Sequence, residues 1–416
     1  MDKMKWVLVG SVIVMIVALS LLPTSVNAQK KLYISGTQSL TGPYAEDSAA
    51  VLAAFEDYAK YVNETKNLAP WRKEKFSADI TLEVLWRDDE LKPAKALTIY
   101  EELKAKGILV YRCSGSPIAL ALKDRLNEDK MGATSMATGP YLLTPPGTIF
   151  TYYPIYTDSD AAIADWFKAN WKETRKPRVA YLTADNAMGK SIEIPEMKAY
   201  LEKVGFEFIG SQYVPLVPTS PPTTQLMWLK ENKVDLALGV MVNPGSQPTI
   251  KEMVRLGMGP YQAYKMAFGV ATPGHAAVFA AAMGELGDGY VCAGSFPNWD
   301  DPASGVKFEA ELQKKYHPDK WVGHIQYMGG MLEGMIQVEA LRLALQKVPF
   351  EKLTPRQVLE LGFYQIKNLD TGGISSTPLT YGPGKIEGAD AVRVDQVQKG
   401  KVVKVGTFPC RHIYTK

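Results

Sequence analysis

From Lys31 onward the chain alternates short apolar runs with longer stretches in which apolar residues recur every three or four positions. Short runs bounded by turn residues predict strands, and the longer period predicts amphipathic helices. On that reading Lys31–Ser35 is a strand and Ala45–Asn63 a helix whose apolar face carries Val51, Leu52, Phe55, Tyr58 and Val62. Ile80–Trp86, Ile108–Cys113 and Met131–Ser135 follow as strands, separated by helices over 93–106 and 117–127. Pro93 and Pro117 suit the first turns of those helices, where proline's missing N–H costs nothing. Residues 141–148, rich in Pro, Gly and Thr, read as a connector. The pattern then restarts: helix 158–171, strand 178–183, helix 189–204, strand 206–214, helix 223–232, strand 234–240 and helix 247–256. Helices are predicted over 302–316, 324–346 and 355–362, and a strand- and turn-rich tail from Gly372. Alternation of this kind is the mark of an α/β chain, here two Rossmann-like lobes with a cleft at the carboxyl ends of their strands.

The amino terminus carries a separate signal. Lys3 and Lys5 precede an apolar or small-residue run from Trp6 to Leu22, which Pro23 breaks before Val26-Asn27-Ala28. That plan fits a signal peptide over 1–28 better than a membrane anchor, since the run sits at the short end for a spanning helix. Gln29 stands where a lipid-modified cysteine would otherwise follow, so the mature chain is expected free in the periplasm, away from cytoplasmic nucleotides.

Composition narrows the function further. The 416 residues are 46% hydrophobic and 22% charged, a globular balance with room for two or three domains. A formal charge of +3 gives no reason to expect nucleic acid as a partner. Cys113, Cys292 and Cys410 allow one internal disulfide at most. The four histidines, His275, His317, His324 and His412, are isolated in sequence, so neither a metal nor a cofactor is expected.

Three segments carry candidate chemistry. Ala184 to Ser191 nearly spells a phosphate-binding loop, but Ala184 replaces its first glycine, and Gly189-Lys190-Ser191 reads as an ordinary helix entry. Cys113-Ser114-Gly115-Ser116-Pro117 joins a strand to a helix, with Ser116 expected as N-cap. Ser114, Gly115 and Ser116 would then present hydroxyl and amide donors at a positive helix end, a site for an anion. No G-x-S-x-G accompanies them, so a hydrolase is the weaker reading. Met136-Ala137-Thr138 follows the next strand and falls on the same rim, and Tyr44 closes one wall. The pairs Asp88-Asp89 and Asp300-Asp301 read as turns and caps, and Met328, Met331 and Met335 as core.

Taken in order, Ser39-Leu-Thr-Gly-Pro-Tyr-Ala45, the Cys-Ser-x-Ser turn at 113–116, Ala137-Thr138, Asp185-Asn186-x-x-Gly189-Lys190, Pro378-Leu-Thr-Tyr381, Val394-x-Gln396-Val397 and Gly400-Lys401-Val402-Val403 resemble the substrate-binding proteins of branched-chain amino acid ABC importers. The resemblance implies the class I periplasmic binding protein fold, two lobes joined by a three-stranded hinge. Lobe one would hold 29–152 plus 294–368, and lobe two 153–293 plus 369–416. It implies a non-enzymatic, monomeric protein that closes on a small carboxylate and delivers it to membrane permease subunits. A sensing module for a signalling partner is the alternative.

The same resemblance places the ligand carboxylate at Ser114, Ser116, Ala137 and Thr138, and puts Met188, Met241 and Phe268 on the second lobe's side of the ligand. The family's acidic partner for the ligand ammonium has no counterpart around Ala267 to Val270. Either Asp47 supplies it, or the ligand is a hydrophobic or aromatic acid without an ammonium. The cysteine that would pair with Cys113 is missing near Arg87-Asp88, which implies a free thiol at 113.

Overall fold

The structure is a computed structural model that describes residues 30–42, 44–271, 276–294 and 296–414; the expected signal peptide lies outside them. The chain opens with β1 (Lys30–Gln38), α1 (Ala45–Thr65), β2 (Ile80–Asp88), α2 (Pro93–Ala105), β3 (Val110–Cys113), α3 (Ser116–Asp129), β4 (Gly132–Ser135) and β5 (Ile149–Thr151). β1 pairs with β2, and β3 with β4 and β4 with β5, all in parallel. β1 and β3 lie side by side: the Ser35 hydroxyl donates to the Val110 carbonyl at 2.5 Å. Gly36 permits that approach, since a side chain there would collide with Arg112.

A second run follows: α4 (Tyr156–Asn170), β6 (Arg178–Ala184), α5 (Ala187–Lys190), α6 (Pro195–Lys203), β7 (Glu207–Val214), α7 (Thr223–Glu231), β8 (Leu236–Val240), α8 (Asn243–Arg255), β9 (Ala267–Ala271), α9 (Ala276–Met283) and β10 (Val291–Gly294). The chain closes with α10 (Ser304–Tyr316), α11 (Ile325–Leu345), α12 (Pro355–Leu361), β11 (Ala391–Gln398) and β12 (Lys401–Pro409). The second sheet runs β12-β11-β10-β9-β8-β6-β7. Its β6 to β10 pairings are parallel, and the β10–β11 and β11–β12 pairings antiparallel. Helix-wrapped, mainly parallel sheets bury both faces, which is why β6, β8 and β9 are buried almost throughout.

Two hydrophobic cores result. The first draws on side chains from Leu32 to Ile155 and again from Phe296 to Ala389. The second draws on Tyr156 to Ala293 and Val392 to Ile413. The chain therefore passes between cores three times. Leu369, Ile374, Leu379, Tyr381, Ile386 and Ala389 belong to the first core, so the last passage comes near residue 390 rather than the anticipated 368. Aromatic rings pack where two passages meet: Tyr153 stands 4.6 Å from Phe296 and 4.7 Å from Tyr152, centroid to centroid. Helix α11 is buried along nearly its whole length, and Gly330 lets it press on α1, where a side chain would strike the Val51 carbonyl. Met328, Met331 and Met335 lie in that core, as their spacing predicted.

Three strands and one helix depart from the sequence pattern. β5, β9 and β10 are three to five residues long and fully buried. They show no alternation, and a short apolar run without alternation does not announce a strand. The helix expected over 189–204 is two helices, because Pro195 begins a new first turn after Ile194 adopts extended backbone. Among the described residues no helix is long and apolar enough to cross a membrane.

Candidate functional site

A cavity of about 50 Å³ lies between the two cores, at the carboxyl ends of β1, β3, β4 and β6. Loop residues placed there by parallel strands are the usual ligand contacts of open α/β sheets. From the first core come Tyr44, Asp47 and Ser48 around the start of α1, Ser114-Gly115-Ser116-Pro117 after β3, Met136 and Ala137 after β4, and Gln326 on α11. Tyr153 and Tyr156 reach it from the first passage, Asn186 from the loop after β6 and Met188 from α5. Tyr44 and Met188 meet across the cleft, hydroxyl oxygen to Sδ at 3.8 Å, so the cavity is nearly shut. Its volume suits a few waters; an organic ligand enters only as the walls part.

The turn after β3 is built to hold donors. Gly115, with extended backbone at φ 179°, is the N-cap of α3, and Ser116 is its first residue rather than its cap. Of the first-turn groups Pro117 has no N–H and the Ile118 N–H donates to the Gly115 carbonyl at 3.1 Å, so the Ser116 N–H is the backbone donor left at the positive end of the helix dipole. The Tyr156 hydroxyl sits beside Ser116 and Thr138; burial raises its pKa while those neighbours counter the rise. Behind the turn is an acid. The Asp89 carboxylate accepts from the hydroxyls of Ser39 (2.7 Å) and Ser114 and from the Leu91 N–H (2.8 Å). Asp88 likewise accepts from the N–H groups of Leu40 (3.0 Å) and Glu90 (2.9 Å). Both aspartates thus hold turns, as their pairing suggested, and the Ser114 proton points at Asp89 rather than into the cavity. The anion donors that remain in the turn are the Ser116 N–H and the Ser116 hydroxyl.

An acceptor wall faces this mouth. Asp47 lines the cavity, and burial first, then the adjacent Glu46, pushes its carboxyl up to about 6. Its nearest basic group is His324, 3.8 Å away, whose own pKa burial lowers, so the imidazole is a poor counter-charge at neutral pH. Gln326 Oε1 is buried without a hydrogen-bond partner among the described residues. One cavity is therefore lined both by donors for an anion and by a carboxylate with an amide oxygen.

Seven predicted residues come together here: Tyr44, Ser114, Gly115, Ser116, Met136, Ala137 and Met188. Thr138 lies one layer behind, fully buried, its carbonyl accepting from the Tyr156 N–H at 3.0 Å. Met241 is enclosed in the second core with its sulfur near Gly245. Phe268 lines a different cavity of about 230 Å³, with Met253, Met258 and Tyr290, on the α8 side of the second core. Phe268 is the second residue of β9, three short of its carboxyl end, while Met241 lies just past β8 but turns into the core at 1% exposure. Sequence reasoning did not find Tyr153, Tyr156, Asn186 or Gln326. Asn186 had a readable signal: its side chain caps α5, accepting from the Gly189 N–H at 2.9 Å. That cap, and the collision a side chain at 189 would make with the Ala184 carbonyl, account for the near phosphate-loop motif without a nucleotide. Cys113, Cys292 and Cys410 are separate buried thiols.

No curated protein matches the sequence. Solved structures do match the fold. A branched-chain amino acid ABC transporter protein from Thermus thermophilus, solved with bound valine, is 22% identical, with a TM-score of 0.81 over 92% of this chain and 98% of its own. A fatty acid ABC transporter substrate-binding protein from Thermomonospora curvata is 20% identical, with a TM-score of 0.74 over 92% and 94%. A solute-binding protein from Rhodopseudomonas palustris BisB5, in complex with 3,4-dihydroxybenzoic acid, is 19% identical, with a TM-score of 0.72 over 91% and 98%. The family model described as periplasmic binding protein matches residues 31–392, most of the chain. The chain belongs to the periplasmic binding protein family.

Proposed function

We propose that the protein captures an α-amino acid with an apolar side chain outside the cytoplasm and hands it to the permease of an ABC importer. The observation that carries this reading is the pairing of a helix mouth with an unneutralised Asp47 across one cavity. A carboxylate at the mouth of α3 gains charge-assisted hydrogen bonds, each contributing about 1.5–3 kcal/mol. An ammonium beside Asp47 and Gln326 Oε1 supplies the positive partner for a carboxylate that is still 36% exposed in this closed form and is covered further once ligand fills the cavity. Tyr44, Met136, Tyr153 and Met188 offer apolar surface for the side chain. The two lobes, 30–155 with 296–389 and 156–293 with 392–414, would part and close at the three passages. Two or three such hydrogen bonds with apolar burial support micromolar binding, roughly −8 kcal/mol.

The test is a thermal-shift and calorimetric comparison of leucine, valine and phenylalanine with benzoate and a medium-chain fatty acid. Amino acids should raise the melting temperature and bind with about 1:1 stoichiometry. Stabilisation by benzoate but not by any amino acid would overturn the assignment of Asp47.

A further inference from the structure

Three side chains from distant stretches of sequence meet where the chain makes its last passage between the cores. Asp158 lies in the first turn of α4, Glu387 pairs as a strand neighbour with Thr151, and His412 follows β12. One ligand atom from each lies within 4.8 Å of the other two. Asp158 and Glu387 are buried, at 0% and 5% exposure, while the His412 ring is half exposed. Asp158 is fixed by the backbone, accepting from the N–H groups of His412 and Ile413 at 3.0 Å each. Glu387 Oε2 stands 3.4 Å from His412 Nδ1, and its Oε1 is buried without a hydrogen-bond partner among the described residues.

The charges do not balance. Two buried carboxylates face a single imidazole, which leaves the group negative even when the ring is protonated. Neighbouring cations are engaged elsewhere: Lys385 with Asp390 at 2.8 Å and Arg411 with Asp165 at 2.6 Å. Buried carboxylates held side by side call for a cation.

We propose that Asp158, Glu387 and His412 form a binding site for a divalent transition-metal cation of the zinc class. Two carboxylate oxygens and an imidazole nitrogen match that ion's donor preference, whereas calcium and magnesium take oxygen sets. Bonds of about 2.0–2.2 Å put tetrahedral ligand atoms roughly 3.4 Å apart, the Glu387–His412 separation already present, so Asp158 closes by at most about 1.4 Å. The exposed side of His412 leaves water a path to the fourth position. A bound ion would tie the tail to the last passage and to the first helix of the second core. That is a site beside the last passage between the cores, apart from the ligand cavity.

The experiment uses the full chain, stripped with a chelator and titrated with zinc chloride by calorimetry, with metal content measured after dialysis. About one equivalent should be retained. Glu387→Gln and His412→Asn should each weaken binding at least tenfold, beyond the lower end of what loss of an outer-shell partner costs. Asparagine is chosen at 412 because the backbone there is left-handed, at φ 54°, and asparagine tolerates that conformation. His317→Ala, whose ring pairs with Asp57 in the first core, should leave uptake unchanged. In the unaltered chain, zinc should also protect His412 from diethyl pyrocarbonate, read by peptide mass mapping. No retained zinc, equal uptake by both variants, or unprotected His412 would each overturn the site.

Discussion

Replacing Glu333 by glutamine strips one charge from an ion pair sealed in the first core. Glu333 and Arg112 have side-chain exposures of 0% and 1%, with Arg112 Nε 3.0 Å from Glu333 Oε2. The hydroxyls of Thr134 and Tyr152 donate to the two carboxylate oxygens at 3.0 Å each. Arg112 also donates to the Thr37 carbonyl at 2.9 Å and to Gln38 Oε1 at 2.8 Å. A carboxamide keeps the shape but turns an NH₂ toward one hydroxyl and leaves the guanidinium without a counter-charge. Breaking a buried pair from one side costs about 3–5 kcal/mol. With each kcal/mol worth about 2–4 °C for a unit this large, Tm should fall by roughly 6–20 °C. The paired change Arg112→Met with Glu333→Leu removes both charges and should recover at least half of that loss. Denaturation followed by tryptophan fluorescence measures both. Glu333→Gln costing under about 1 kcal/mol, or the double variant proving worse than the single, would refute the argument. The pair stands directly behind the serine turn, so ligand affinity should drop along with stability.

Other outcomes follow from the cavity and its supports. With the Asp47 carboxyl at about 6 in the free protein, the ionised form that an ammonium needs dominates above pH 7 and is lost as pH falls through 6. Amino acid affinity should therefore be flat from pH 7 to 8 and about tenfold weaker at pH 5; calorimetry on Asp47→Asn should show weak binding with no such slope. Truncating Met188 to alanine removes the hydroxyl–sulfur contact with Tyr44 and should enlarge the ligand-free radius of gyration seen by small-angle scattering. Gly189→Ala pushes a methyl into the Ala184 carbonyl and should cost about 1–3 kcal/mol in urea denaturation, without regard to ligand.

How far the residues announced this arrangement differs between the two cores. Long amphipathic segments such as α1 and α11, and strands such as β1 and β6 flanked by turn residues, were legible from periodicity. β5, β9 and β10 were not, since strands buried on both faces carry no alternation and are too short to stand out. On the first-core side, a strand, a Ser-Gly-Ser turn and a proline spell a helix mouth, and that mouth is where the pattern put it. Met241 and Phe268 were misplaced because each belongs to a strand end or core position whose depth only packing reveals. Tyr153, Tyr156 and Gln326 were beyond reach for a further reason. They come from a passage between cores and from a late helix, and nothing local in sequence says that those stretches converge on β3.

The threading of the first core has a consequence for biosynthesis. Its two contributing stretches are separated by the first stretch of the second core, about 140 residues, or roughly 7–28 s at ribosomal rates of 5–20 residues per second. Until α11 emerges, the face of α1 that Gly330 will press against has nothing to cover it. Sheet β6 to β10 is continuous in sequence and can close meanwhile. The half made later should thus consolidate earlier, and the nascent amino-terminal portion should be the one that needs a chaperone.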